Sequence, residues 1–132
     1  MKSFSLIVLV GCLLGCADAG DTAKAQIQYD VDLRWTSYGI PHVKANDWGS
    51  IGFGFAYATA TDAVCVIAKD VQRVNGNLSV YFGADNGNLQ SDVFHKAILT
   101  SAKLDAYDQQ QSAQSKRMNA GYAAGYNRFL AD

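Results

Sequence analysis

Asn46-Asp47-Trp48-Gly49-Ser50-Ile51-Gly52-Phe53-Gly54-Phe55-Ala56-Tyr57-Ala58-Thr59-Ala60-Thr61-Asp62-Ala63-Val64-Cys65-Val66-Ile67 is the stretch on which the fold turns. Asn46-Asp47 is a helix start signal, and Phe53, Tyr57, Ala60, Val64, Ile67, Val71 and Val74 then recur at alternating spacings of four and three. That predicts one helix of several turns. Its other side carries Phe55, Ala56, Ala58 and Cys65, so its first half is apolar nearly all round and is expected between two layers. Asp62 falls inside this apolar run, where a bare carboxylate is costly, and a partner is expected in Arg34, Arg73 or backbone N–H groups.

Upstream, Ile27, Tyr29, Val31 and Leu33 alternate with Gln28, Asp30, Asp32 and Arg34, the period of a strand with one covered face. Ser37-Tyr38-Gly39 reads as a turn and Ile40 to Ala45 as a second strand, giving a hairpin. Pro41 cannot donate to a ladder, so it belongs at an edge or at a strand start. Downstream, Asn75-Gly76-Asn77 is expected to end the long helix, and Tyr81 to Asn88 to form a glycine- and asparagine-rich loop. Leu89 to Ala106 and Asp105 to Leu130 are both read as helical, the second with Met118, Tyr122, Tyr126 and Phe129 on one side. Gly121 and Gly125 would each weaken that last helix by about 1 kcal/mol relative to alanine, which points to a close backbone approach or to flexibility.

The 132 residues are 49% hydrophobic, with 11 basic side chains against 12 acidic ones. This excludes a disordered segment and leaves no basic footprint for nucleic acid. All the acids are aspartates, so neither a Glu-bearing calcium loop nor a His-Glu zinc-protease motif is present. Lys2 followed by the apolar run Phe4 to Val10 reads as a secretory leader, too short for a membrane span. Residues 1–15 are expected to be a lipoprotein-type signal peptide, with Cys16 as the lipidated first residue and 16–25 as a tether. Processing at Cys12, or cleavage after Ala17 or Ala19 to give a soluble periplasmic protein, are the alternatives. Either way the localisation is periplasmic, and any contact with a membrane is through the lipid anchor. Cys65 is then the one thiol of the body; no internal disulfide framework is possible, and it is expected to be a buried, inert small hydrophobe.

Chemistry-bearing patterns are sparse. Gly49-Ser50-Ile51-Gly52-Phe53-Gly54 has the wrong spacing for a dinucleotide fingerprint, and no phosphate loop is present. His42 and His95 each lack a second imidazole or a thiol at ligand spacing, so no metal and no cofactor are expected. His42, beside Pro41, reads as a hydrogen-bonded structural residue. Asp92 and His95, three apart, could form an acid–histidine pair, but no serine or cysteine stands in a nucleophile position.

Arg34-Trp35-Thr36-Ser37-Tyr38-Gly39-Ile40-Pro41-His42-Val43-Lys44-Ala45, then Gly52-Phe53-Gly54-Phe55-Ala56-Tyr57-Ala58 and Asp62, resembles the start of the α chain of the penicillin amidase (penicillin acylase) family. Cys65 to Asp70, Tyr81-Phe82-Gly83, Ser91 to Phe94 and Tyr122 to Leu130 are similar to its acyl-homoserine-lactone and aculeacin acylase branch. The resemblance runs from Gln26 to Asp132 and marks Arg34, Gly39, Pro41, His42, Gly54 and Asp62 as structural motif residues. Trp35 and Ala63 depart from the family pattern, which usually has an acid and a polar residue there; these departures bear on the pocket's details.

The resemblance implies an α+β chain of two short strands and about three helices, an N-terminal fragment of an N-terminal-nucleophile (Ntn) hydrolase αββα sandwich. Such a precursor cuts itself into α and β chains, and the nucleophile is the new N-terminal serine of the β chain. Residues 26–132 are therefore expected to be a partial α-chain domain with more apolar face than it can cover, ending at Asp132 without a closing element. Its partners would be the missing β chain of the same precursor and an acyl-amide small molecule. The family often binds calcium through ligands outside this stretch, and none is carried over. The alternative is a non-catalytic periplasmic lipoprotein that binds a protein partner or an acyl ligand.

Overall fold

Two valines and a glycine explain how the hairpin meets the helix. In the computed structural model, which describes residues 28–132, strand β1 (Asp32–Trp35) pairs antiparallel with β2 (Pro41–Lys44). Leu33 faces Val43 across the ladder, and Pro41 stands opposite Trp35 as the first residue of its strand. The turn is tied by Thr36, whose hydroxyl oxygen accepts from the backbone N–H groups of Tyr38 (3.3 Å) and Ile40 (3.1 Å). Gly39 takes φ +78°, a left-handed conformation that favours glycine. Both strands are shorter than the alternation predicts, but its two sides hold: Tyr29, Val31 and Leu33 are half-buried while Gln28, Asp30, Asp32 and Arg34 are exposed. The leader, the tether, Cys12, Cys16, Gln26 and Ile27 lie outside the described residues.

The long helix α1 (Trp48–Val74) starts where its sequence says it should. Asp47 caps it, accepting from the Ser50 backbone N–H at 3.0 Å and from the Ser50 hydroxyl at 2.6 Å. The same hydroxyl oxygen accepts from the Asp30 N–H at 3.1 Å, so one buried serine ties the helix start to the chain entering β1. At the other end Gly76, at φ +65°, donates to the Arg73 carbonyl and Asn77 to that of Gln72. This is the paired glycine C-cap expected of Asn75-Gly76-Asn77.

Small residues carry the core. Gly54 lies under the hairpin, where a methyl would come within 2.7 Å of Val43 Cγ1. Gly49 and Gly52 face helix α5 (Ala113–Ala131), and Gly121 and Gly125 of that helix face back: a methyl on Gly121 would overlap the carbonyl oxygen of Gly49, and one on Gly125 that of Phe53. The close backbone approach is thus reciprocal, and α1 is layered between hairpin and α5. Ala56 and Ala60 are fully buried beside these glycines, whereas Phe55 and Val74 remain about half exposed. Aromatic pairs seal the rims: Tyr29 on Phe53 at 5.1 Å, and Tyr57 edge-on to Phe129 at 5.6 Å. By length and composition alone α1 could cross a membrane, but glycines and alanines buried against two partners are what a core helix presents.

Five expectations need correction. α1 is not one straight helix: Ala63 leaves helical geometry (φ −139°, ψ 29°), just after Thr59 and Thr61 return their hydroxyls to the carbonyls of Phe55 and Tyr57. Such back-bonding bends helices. A short helix α2 (Leu78–Phe82) runs into the Tyr81–Asn88 stretch expected as loop, and the remaining chain forms three helices where two are predicted: α3 (Asn88–Ile98), α4 (Ser101–Gln110) and α5. Cys65 is exposed rather than buried, because it lies beyond the kink, where α1 has left its layered half. Asp62, one residue before the kink, is exposed because it lies on neither the hairpin side nor the α5 side of α1, and neither proposed arginine reaches it.

Candidate functional site

Four of the six motif residues come together on the hairpin. Arg34 and His42 are directly opposite in register, Gly39 forms the turn, and Pro41 opens β2. The Arg34 guanidinium holds Asp32 at 2.7 Å and keeps that carboxyl below the usual carboxylate range. With Val43 and Lys44 these side chains line an open cleft of about 290 Å³ on the outer face. His42 is exposed, and among the described residues its ring makes no hydrogen bond of the kind expected for it. Gly54 is on the opposite, buried side of the same hairpin, and Asp62 stands apart, two turns further along α1.

The sequence draws attention to the wrong buried acid. Asp92, on α3, is 4% exposed, and its carboxylate accepts from the backbone N–H groups of Leu78 and Ser79, both at 2.8 Å, and from the Ser79 hydroxyl at 2.5 Å. Burial pushes its pKa up, but the bonds from Ser79 and Leu78, with Lys96 nearby, outweigh that and hold it below the ordinary value. It is the cap of α2, supplied from another helix, while the residue in the N-cap position, Asn77, makes no side-chain cap bond. The Asp92–His95 pair does not form: His95 turns its Nδ1 to the Ser91 carbonyl at 2.8 Å, which requires the proton on that nitrogen.

A larger open cleft, about 540 Å³, lies between the end of α3 and α4, lined by Ile98, Leu99, Lys103, Ala106, Tyr107 and Gln110. No serine or cysteine lines it, and among the described residues no three His, Cys, Asp or Glu side chains come together. What the chain does present is apolar surface. Trp48, Val66, Val80, Tyr81, Val93, Phe94 and Tyr107 all stand at least half exposed.

Residues 30–132 match the penicillin amidase family. The chain belongs to that family. It is 35% identical to acyl-homoserine lactone acylase PvdQ of Pseudomonas fluorescens (strain Pf0-1), with 99% of this chain and 18% of that protein aligned. To the PvdQ of Pseudomonas putida KT2440 it is 42% identical, over 94% of this chain and 17% of that protein. Aculeacin-A acylase of Actinoplanes utahensis is 37% identical over 77% of this chain and 14% of its own length. The chain thus spans less than a fifth of these curated relatives. Among solved structures, the thermostable penicillin G acylase of Alcaligenes faecalis superposes with a TM-score of 0.70 at 24% identity, over 80% of this chain and 55% of that one. That likeness shows the fold: four-fifths of this chain shares part of the Ntn-hydrolase architecture.

Within the penicillin amidase family the hairpin motif and the glycine-rich half of α1 acquire a common reason. The motif's Pro41 and Gly39 shape the hairpin, Gly54 lets its inner valines reach the helix backbone, and Gly52 does the same for α5. Trp35 pairs with Pro41 at the end of the ladder, and Ala63 is the kink.

Proposed function

We propose that this chain is the N-terminal, α-chain portion of an exported Ntn amide hydrolase that removes an acyl group from a linear amide. The observation that supports it is the penicillin amidase match running unbroken through residues 30–132, with relatives named for acyl-homoserine lactones and aculeacin A. The substrate is a fatty-acyl amide, an acyl-homoserine lactone, a lipopeptide or a β-lactam-type amide. The nucleophilic serine is the first residue of a β chain cut from the same precursor and lies outside these 132 residues. Its own α-amino group takes the hydroxyl proton, directly or through water. The oxygen attacks the amide carbonyl, hydrogen-bond donors stabilise the oxyanion, the C–N bond breaks as the amine leaves with that proton, and water then hydrolyses the acyl-serine ester to release the acid. The present chain is the scaffold of that reaction. It is inactive alone. Residues 1–15 direct export to the periplasm and Cys16 carries the lipid anchor.

Expression of the complete reading frame tests this. Two chains are expected on a denaturing gel, with release of free acid from an acyl-homoserine lactone followed by mass spectrometry, and no turnover by the 132-residue chain. Cys16→Ala is expected to move the protein from the membrane pellet to the soluble fraction. A single uncut protein that binds acyl compounds without hydrolysing them would favour the lipoprotein alternative instead.

A further inference from the structure

The straight part of α1 has three distinguishable sides. Gly49 and Gly52 lie against α5, with Ala56 and Ala60 continuing that side at helical spacing. Ser50 and Gly54 lie against the hairpin and the chain that enters it. The third side carries Trp48, Phe55 and Asp62, each seven residues after the last, with Val66 one turn beyond the kink. The described residues leave much of it open: Trp48 is 52% exposed and Val66 61%, and Phe55, half exposed, leans on Tyr122 at 6.1 Å. Asp62 is the one charge in this row. Arg34 is engaged with Asp32, Arg73 with Asp70, and Lys69 lies over the Phe82 ring.

We infer that Asp62 is the polar anchor of this apolar side and pairs with an arginine or lysine carried by the β chain of the precursor polypeptide. The inference rests on the α-chain reading above. More than four-fifths of the length of the PvdQ relatives lies outside the part this chain aligns with, so there is ample chain to cover the row. Once Trp48, Phe55 and Val66 are covered, a carboxylate among them is desolvated, and it stays charged only beside a cation. Apolar contact alone tolerates sliding along a helix, whereas a single buried pair penalises every register but one. Asp62 therefore sets where the β chain sits on α1.

Carbodiimide labelling of the intact full-length protein with glycine ethyl ester, read by peptide mass spectrometry, tests this without any substrate. Asp62 is expected to react at least tenfold more slowly in the native protein than in denaturant. Equal rates would overturn the inference. Residues 17–27 hold one cation, Lys24, so protection that disappears in Lys24→Ala would assign the cover to this chain's own tether and also overturn it. In the cleaved protein, Asp62→Asn is expected to weaken association of the two chains at least tenfold, with Asp62→Glu recovering most of the loss. An Asn variant that associates as the parent does would likewise overturn it. Because labelling needs no turnover, a protected Asp62 in a protein without hydrolase activity would refute the proposed reaction and leave the anchor standing. An active protein with a freely labelled Asp62 would do the reverse.

Discussion

The two halves of α1 live in different surroundings. Before Ala63 the helix is gripped on two sides, by hairpin valines and by α5, and its buried residues are glycine, serine and alanine. After Ala63 no residue of α1 is buried, and the α2–α4 segment beyond it keeps large side chains such as Tyr81, Phe94 and Tyr107 in the open. The contrast teaches how apolar composition divides between uses. Where the chain closes on itself, backbone meets backbone and side chains shrink. Where it offers surface, they grow.

The largest expected effect comes from breaking the gripped half. Gly121→Ala gains about 1 kcal/mol of helix propensity, but overpacking costs up to about 3 kcal/mol, and the obstacle is a carbonyl oxygen that cannot rotate away. A net loss of about 2 kcal/mol is expected in chemical denaturation.

A smaller effect sharpens the contrast from the other side. Asp92 is the one buried charge described in the α2–α4 segment, and Asp92→Ala is expected to lower Tm by roughly 5 °C through loss of the α2 cap. The folded pKa values of Asp92 and Asp47 are both depressed. Ser50 bonds lower that of Asp47, and the Ser79 and Leu78 bonds overcome burial at Asp92. Their contribution is therefore complete above the unfolded carboxylate value, about 3.9, and is lost as pH falls through the lower folded values. A thermal-melt series in acid is expected to show this loss, and Asp92→Ala to shrink it. The smallest effect is expected in α4: Leu104→Ser changes the stability of the 132-residue chain by less than about 0.5 kcal/mol, because that side chain is half exposed.

The gripped half was also the legible half. Alternation at Tyr29, Val31 and Leu33, the Asp47 start, the Asn75-Gly76 stop and the Gly121/Gly125 pair are local patterns, and each structural partner matches them. The rest resisted for physical reasons. The α2 cap comes from Asp92, fourteen residues beyond Leu78, so no local signal announces the helix. The break between α3 and α4 at Leu99-Thr100 contains no glycine or proline, and Thr100 makes no side-chain cap bond. Periodicity predicts a core position for Cys65 but cannot register a kink arising from threonine side chains bonding back along the helix, and Asp62, just before that kink, falls on the side of α1 that neither the hairpin nor α5 covers. Of the motif residues, Gly39, Pro41 and Gly54 fall where their chemistry suggests, His42 lacks the hydrogen bond expected of it, and no sequence pattern singles out Asp92 as a cap.

The glycine contact between α1 and α5 also bears on the order in which this chain can fold. Gly49 and Gly121 are about seventy residues apart, so their meeting must wait for a long loop to close, whereas the hairpin joins residues only a few positions apart. The hairpin and the α2–α3 unit can form early and locally. Docking of α5 comes late, and until it happens the glycine groove of α1 stands open to whatever apolar helix arrives first.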